Sequence, residues 1–217
     1  MTLGYPVLLH LEGRRCLVAG GGAVAERKTA GLMEAGAEVT VVAPELGPRL
    51  REWADAGRIR AERRGVRASD LDGAALAFAA TGRPEVNRWL AAEARRRGVP
   101  VSVADDGEAG DFSTPAVVRR GGLVLAVGTS GAGPALAAKL AAELAERYGP
   151  ECAELVETMR KLRVEIKRSV SDPAARRAWL QAAVSDEALA VWREASPDED
   201  GAALFERLRR LTGGSGT

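Results

Sequence analysis

Residues 15–25 read Arg-Cys-Leu-Val-Ala-Gly-Gly-Gly-Ala-Val-Ala, and this stretch constrains the fold more than any other. A short apolar run that ends in glycines predicts a buried strand, a tight turn and the first turn of a helix. Gly20-x-Gly22-x-x-Ala25 fits the dinucleotide-binding fingerprint. In that pattern Gly20 permits the turn, Gly22 lets a pyrophosphate approach the backbone, and Ala25 lets helix pack on strand. The helix start at Ala23, Val24 and Ala25 then presents free N–H groups and a positive dipole end to an anion. The competing reading is a glycine-rich strand-to-helix turn that binds nothing.

Segments alternate in a way that supports a nucleotide fold. Val39–Val42 and Leu76–Ala80 are short apolar runs of the kind that buried parallel strands show. Val99–Val103 is another, and Ile59–Arg63 alternates as an outer strand does. Glu26–Ala35 reads as a helix stopped by Gly36; a second opens at Pro84 and closes at Gly98. The expected class is α/β, a doubly wound Rossmann-type parallel sheet with right-handed crossovers. After Asp105 the pattern changes. Phe112–Val118 and Leu123–Val127 flank Arg119-Arg120-Gly121-Gly122 and predict a hairpin. Pro134 opens an alanine-rich helix that ends near Tyr148-Gly149. The rest reads as helical, with starts near Ser171-Asp172-Pro173, Ser185-Asp186 and Pro197-Asp198. Residues 213–217 read as a disordered tail.

Charge and cysteine usage narrow the function classes. Lys and Arg number 31 against 30 Asp and Glu, so no global field draws the chain to nucleic acid or membrane. Two cysteines, Cys16 and Cys152, lack metal-type spacing, and a single histidine, His10, excludes a His-rich metal site. No basic leader and no transmembrane-length run is visible, so a cytoplasmic protein is expected.

Three constellations are candidates for chemistry. The strand Val39–Val42 is followed by Ala43-Pro44-Glu45, not by the usual acid that holds ribose hydroxyls. Glu45 either reaches the ribose from this later position or is a solvated loop carboxylate. Asp105 follows the fifth strand, where ligands of open parallel sheets bind, and a carboxylate there can move a proton. Asp106 and Asp111 compete with it on the same loop, and all three are ordinary turn residues otherwise. Finally, Gly128-Thr129-Ser130-Gly131-Ala132-Gly133 precedes the helix at Pro134. It is either an anion-holding loop or a flexible cap. Arg119, Arg120 and Lys139 flank it.

The order of these motifs resembles the precorrin-2 dehydrogenase family, which includes the dehydrogenase/ferrochelatase module of siroheme synthase. The resemblance rests on Tyr5-Pro6-Val7-Leu8-Leu9, Gly20-Gly21-Gly22-x-Val24-Ala25-x-Arg27-Lys28 and Val41-Val42-Ala43-Pro44-Glu45. It continues through Ala79-Ala80-Thr81, Asn87, Val101–Asp105 and Phe112-x-x-Pro115-Ala116. It implies an NAD-binding domain over 1–113, a dimerisation segment over 114–149 and an all-helical C-terminal domain over 150–212, in a homodimer. It implies oxidation of precorrin-2, a tetrapyrrole with eight carboxylates, to sirohydrochlorin with NAD⁺. Insertion of Fe²⁺ is a further implied activity, with no stored metal and a transient contact near Asp105. Asp105 takes the family's catalytic position, as general base. Pro44, Glu45 and Thr81 fall on the cofactor side; Ser113, Thr129, Ser130, Gly131 and Lys139 fall on the substrate side. The chain departs from the family at Ser102, Ala104, Gly82, Gly128 and Gly133, which touches fine substrate contacts. It also ends where longer siroheme synthases continue into a methyltransferase domain, so methylation is not expected of it. The alternatives are a dehydrogenase without chelation and a non-catalytic NAD-sensing module.

Overall fold

A computed structural model of the chain describes residues 4–104, 106 and 109–213. The chain forms two compact units that divide between Thr114 and Pro115.

The first unit is a parallel sheet. Strands β1 (Arg15–Ala19), β2 (Glu38–Val42), β3 (Arg60–Glu62), β4 (Leu76–Ala79) and β5 (Val101–Val103) take the order β3-β2-β1-β4-β5. Every neighbouring pair is parallel. The order reverses at β1, so β1 and β4 form the switch point where ligands of doubly wound sheets bind. Helices α1 (Ala23–Glu34), α2 (Pro48–Asp55) and α3 (Pro84–Arg96) connect the strands. Each central strand is apolar on both sides because both faces are covered. Val18, Val41 and Phe78 lie in one core with Ala25, Leu32, Leu50 and Trp53. Leu17, Ala77, Ala79 and Val101 lie in the other with Leu71, Leu90 and Ala94. Helix α2 was not anticipated. Its eight residues carry only Leu50 and Trp53 to the core, a pattern too brief to show a period.

Unit 2 opens with an antiparallel hairpin, β6 (Ala116–Arg120) and β7 (Leu123–Val127), in which Val118 faces Leu125. Strand β6 begins later than its sequence suggests. Phe112 turns instead to the first unit's core and meets Phe78 edge-on, with ring centroids 5.4 Å apart. Pro115 then supplies no N–H to a ladder. Helix α4 (Pro134–Arg147) packs on the hairpin, followed by α5 (Glu151–Ser169), α6 (Pro173–Ala182), α7 (Asp186–Arg193) and α8 (Gly201–Leu211). The last three start on Asp172, Ser185 and Asp200, whose side chains accept from N–H groups three residues on. Their core gathers Leu162, Ile166, Trp179, Trp192, Leu204 and Phe205. Among the described residues no helix is long and apolar enough to cross a membrane.

Candidate functional site

The three glycines after β1 do three different jobs. Gly20 has φ +136°, and a Cβ there would lie 2.2 Å from the Ala80 carbonyl oxygen. Only glycine lets β1 turn this close to the end of β4. Gly21 is closed in by the next loop: a Cβ would lie 1.8 Å from the Glu45 carbonyl oxygen. The Gly47 N–H donates to the Gly21 carbonyl at 2.8 Å and ties the two loops together. Gly22, in contrast, faces open space, with nothing within 4 Å of a Cβ.

That open face fits a dinucleotide pyrophosphate. Gly22 is the N-cap of α1 and gives it no side-chain cap. The first N–H groups of the helix, at Ala23, Val24 and Ala25, therefore keep their hydrogen-bonding capacity for an anion. Ala25 is fully buried, which lets α1 lie close on the sheet. Pro44 and Glu45 are exposed past the C-terminal end of β2, and the Glu45 backbone touches the glycine turn.

On the other side of the switch point, Thr81 is held by Asn87 from the first turn of α3. The Thr81 N–H and hydroxyl both donate to Asn87 Oδ1, at 3.1 and 2.6 Å, and Asn87 Nδ2 returns a bond to the Thr81 carbonyl at 3.0 Å. Asn87 is 5% exposed. Its amide therefore fixes the loop that meets Gly20. Beside it opens a cleft of about 320 Å³, lined by Thr81, Gly82, Asn87 and Arg88 on one side and Val103, Ala104 and Asp106 on the other.

The acids after β5 separate by their partners. Asp111 accepts from the Val101 N–H at 3.0 Å, and its own N–H donates to the Val101 carbonyl at 2.7 Å. Arg95 donates to the same carboxylate at 2.9 Å and to the Ala109 carbonyl at 2.6 Å. Asp111 thus finishes the open edge of β5, a structural duty. Asp106 accepts from the Ala109 N–H at 3.1 Å as a turn aspartate does, and lines the cleft. Asp105 lies outside the described residues.

The remaining expected positions fall in different places. Ser113 is exposed at the end of the first unit. Thr129, Ser130, Gly131 and Lys139 belong to the second unit. Thr129 Oγ1 accepts from the Gly133 N–H at 3.3 Å, so this hydroxyl already caps its own loop. Ser130 adopts φ +50° beside Gly131 at +82°, a conformation that non-glycine residues rarely hold. Lys139 is exposed on α4.

At two side chains in the first unit burial is the leading cause of a displaced acidity. Burial pushes the Cys16 thiol up, which keeps it a core residue and not a nucleophile. Burial, then the charge of Arg27, pushes Lys28 down. Gly21, Asn87 and Lys28 were quoted in the family pattern without a role. Their roles depend on contacts across 24, 6 and 86 residues of chain, which no local period reveals.

Comparison with known proteins agrees with this geometry. Residues 7–116 match a family model described as putative NAD(P)-binding. The siroheme synthase of Chromobacterium violaceum is 40% identical over 173 residues, 80% of this chain and 37% of that protein. The siroheme synthase of Nitrosococcus oceani is 38% identical over 172 residues, 79% of this chain and 37% of that protein. The chain thus spans little more than a third of the length of these curated relatives. The solved structure of SirC, a precorrin-2 dehydrogenase, superposes with a TM-score of 0.74 at 27% identity, covering 95% of this chain and 100% of that one. With the match running through the glycine turn, the sheet and both sides of its switch point, the chain belongs to the putative NAD(P)-binding family.

Proposed function

We propose that the protein oxidises precorrin-2 to sirohydrochlorin with NAD⁺. The observation that carries this reading is the open backbone face at Gly22, at the start of α1 and beside the switch point of a sheet that resembles SirC over nearly its whole length. The N–H groups at Ala23–Ala25 hold the pyrophosphate, and Pro44 and Glu45 border the ribose. The Thr81–Asn87 pair keeps the β4 loop clear of it. NAD⁺, when bound, supplies the hydride acceptor.

The substrate loses a hydride and a proton to extend its conjugation. Asp105, between two positions that line the 320 Å³ cleft, accepts the proton as general base. Its assignment gains support by elimination, because Asp111 is committed to β5 and Asp106 to its own turn. Ser113, Thr129, Ser130, Gly131 and Lys139 bind the tetrapyrrole periphery. The working form is a cytoplasmic homodimer, which suits the exposed apolar residues Val117, Leu136 and Leu140 on the hairpin and α4. Subsequent Fe²⁺ insertion is the finer part of the reading, and the siroheme synthase relatives support it.

The test is anaerobic incubation of the purified chain with precorrin-2 and NAD⁺, following NADH and sirohydrochlorin by absorbance, then addition of Fe²⁺. Both species rise together in equal amounts if the reading is right. NAD⁺ binding without turnover overturns it in favour of a sensing module.

A further inference from the structure

Lys28 is a half-buried charged side chain of the first unit that the chemistry above leaves unused. It lies five residues past Ala23, about 7 Å along the axis of α1 from the glycine turn. Its ammonium stands 5.5 Å from the centroid of the Phe78 ring. Phe78 in turn holds Phe112 edge-on. The ammonium donates one hydrogen bond, to the hydroxyl of Thr114. Phe112 and Thr114 bracket Ser113, which is exposed.

An ammonium carries three donors, and among the described residues one has a hydrogen-bond partner. Among the described residues no carboxylate pairs with Lys28. The group is partly buried, so it has given up part of its hydration without gaining a counter-charge from the described residues. That arrangement is unfavourable by itself, and a carboxylate placed beside it reverses the balance. Burial first, and then the charge of Arg27, push the pKa of the ammonium down, which agrees with this lack of compensation. An aromatic floor beneath, a hydroxyl on one side and two unused N–H donors make a seat for one anionic group.

We propose that Lys28 and the Thr114 hydroxyl bind a peripheral carboxylate of the tetrapyrrole and so help set which substrate the enzyme accepts. The inference rests on the tetrapyrrole reading given above, and it assigns Lys28 a direct contact with substrate. The other anion within reach of this part of α1 is the cofactor pyrophosphate, and the test separates the two.

The test uses Lys28→Gln, which keeps a donor for Thr114 but loses the charge, and Lys28→Arg, which restores the charge. Binding of uroporphyrin, an octacarboxylic tetrapyrrole, is followed by quenching of tryptophan fluorescence, and binding of NAD⁺ by calorimetry. Loss of a charged hydrogen bond weakens uroporphyrin binding about ten- to hundredfold in Lys28→Gln. NAD⁺ affinity stays within about twofold, and Lys28→Arg recovers most of the loss. In turnover, KM for precorrin-2 rises while kcat holds, the mark of a contact made equally in ground and transition states. A purely structural lysine lowers the melting temperature of Lys28→Gln and leaves uroporphyrin affinity at the parent value, which overturns the proposal. Loss of NAD⁺ affinity instead overturns it in favour of the pyrophosphate, and a parent protein that does not bind uroporphyrin overturns it outright. A parent that binds uroporphyrin through Lys28 yet does not oxidise precorrin-2 removes the catalytic reading and leaves the carboxylate seat standing.

Discussion

Substituting alanine in turn at Gly21 and Gly22 separates a glycine needed by the fold from one needed by the ligand. At Gly21 the new methyl carbon would sit 1.8 Å from the Glu45 carbonyl oxygen and 3.1 Å from Ala43 Cβ. The obstacle is backbone, so the 43–47 loop must move and the 2.8 Å bond from Gly47 to Gly21 breaks. Overpacking of about 1–3 kcal/mol plus the lost bond gives roughly 2–4 kcal/mol of destabilisation. For a chain of this length that is roughly 5–15 °C in melting temperature. At Gly22 the backbone has φ −91° and ψ −172°, open to any residue, and the methyl meets nothing. Alanine is a poorer N-cap than glycine but lowers unfolded-chain entropy; each effect is below about 1 kcal/mol and the two offset. Stability of Gly22→Ala therefore stays near that of the parent. The same methyl occupies the space assigned to the pyrophosphate, a clash of about 1–3 kcal/mol, or roughly five- to hundredfold in Kd for NAD⁺. Urea denaturation and calorimetric titration of both variants give the comparison. A Gly22→Ala protein that is stable and binds NAD⁺ like the parent would falsify the placement of the cofactor at this turn.

Three further outcomes follow from named contacts. Asn87→Leu removes three hydrogen bonds and leaves the Thr81 N–H without its partner, so urea unfolding should show a loss of roughly 1–3 kcal/mol; an unchanged midpoint would mean the Thr81 loop is held otherwise. Arg64 donates two hydrogen bonds to Asp70, at 2.8 and 2.7 Å, and holds its carboxyl below the ordinary 3.8, with help from the Arg67 N–H. The folded carboxylate is the more acidic one, so its contribution is complete above about pH 5 and is lost as pH falls through its folded value. Asp70→Asn should cost roughly 1–3 kcal/mol at neutral pH and flatten the acid limb of the stability profile, and identical pH profiles for variant and parent count against the pairing. Asp111→Ala frees the β5 edge, and because its Arg95 partner is half-exposed the expected loss is only about 1–2 kcal/mol. That variant keeps the proposed base Asp105, so a drop in kcat as deep as that of Asp105→Asn, on the order of 10²–10⁴-fold, would show that the acids were wrongly sorted.

The nucleotide unit was legible because its information is local. Strands β1, β2, β4 and β5 each carry an apolar run and β3 an alternation, and Gly20, Gly36 and Gly98 mark turns that only a positive φ can make. Boundaries shifted where tertiary contacts took residues away: Phe112 left the hairpin for Phe78, and Pro115 barred an earlier start to β6. The short α2 was invisible because two buried residues make no pattern.

The site was legible in a different measure. Position along the chain offered three aspartates after β5 and no means of choosing among them. Partners give two of them structural duties: Asp111 closes the sheet edge through Val101 and Arg95, and Asp106 turns back on Ala109. Asp105 remains the proposed base, on the family resemblance and because its two competitors hold these turns. The same logic run in reverse singles out Lys28, a cation whose contacts among the described residues are the Thr114 hydroxyl and the Phe78 ring. In this first unit, function is to be sought where hydrogen-bonding capacity remains unspent, at the open face of Gly22 and the spare donors of Lys28.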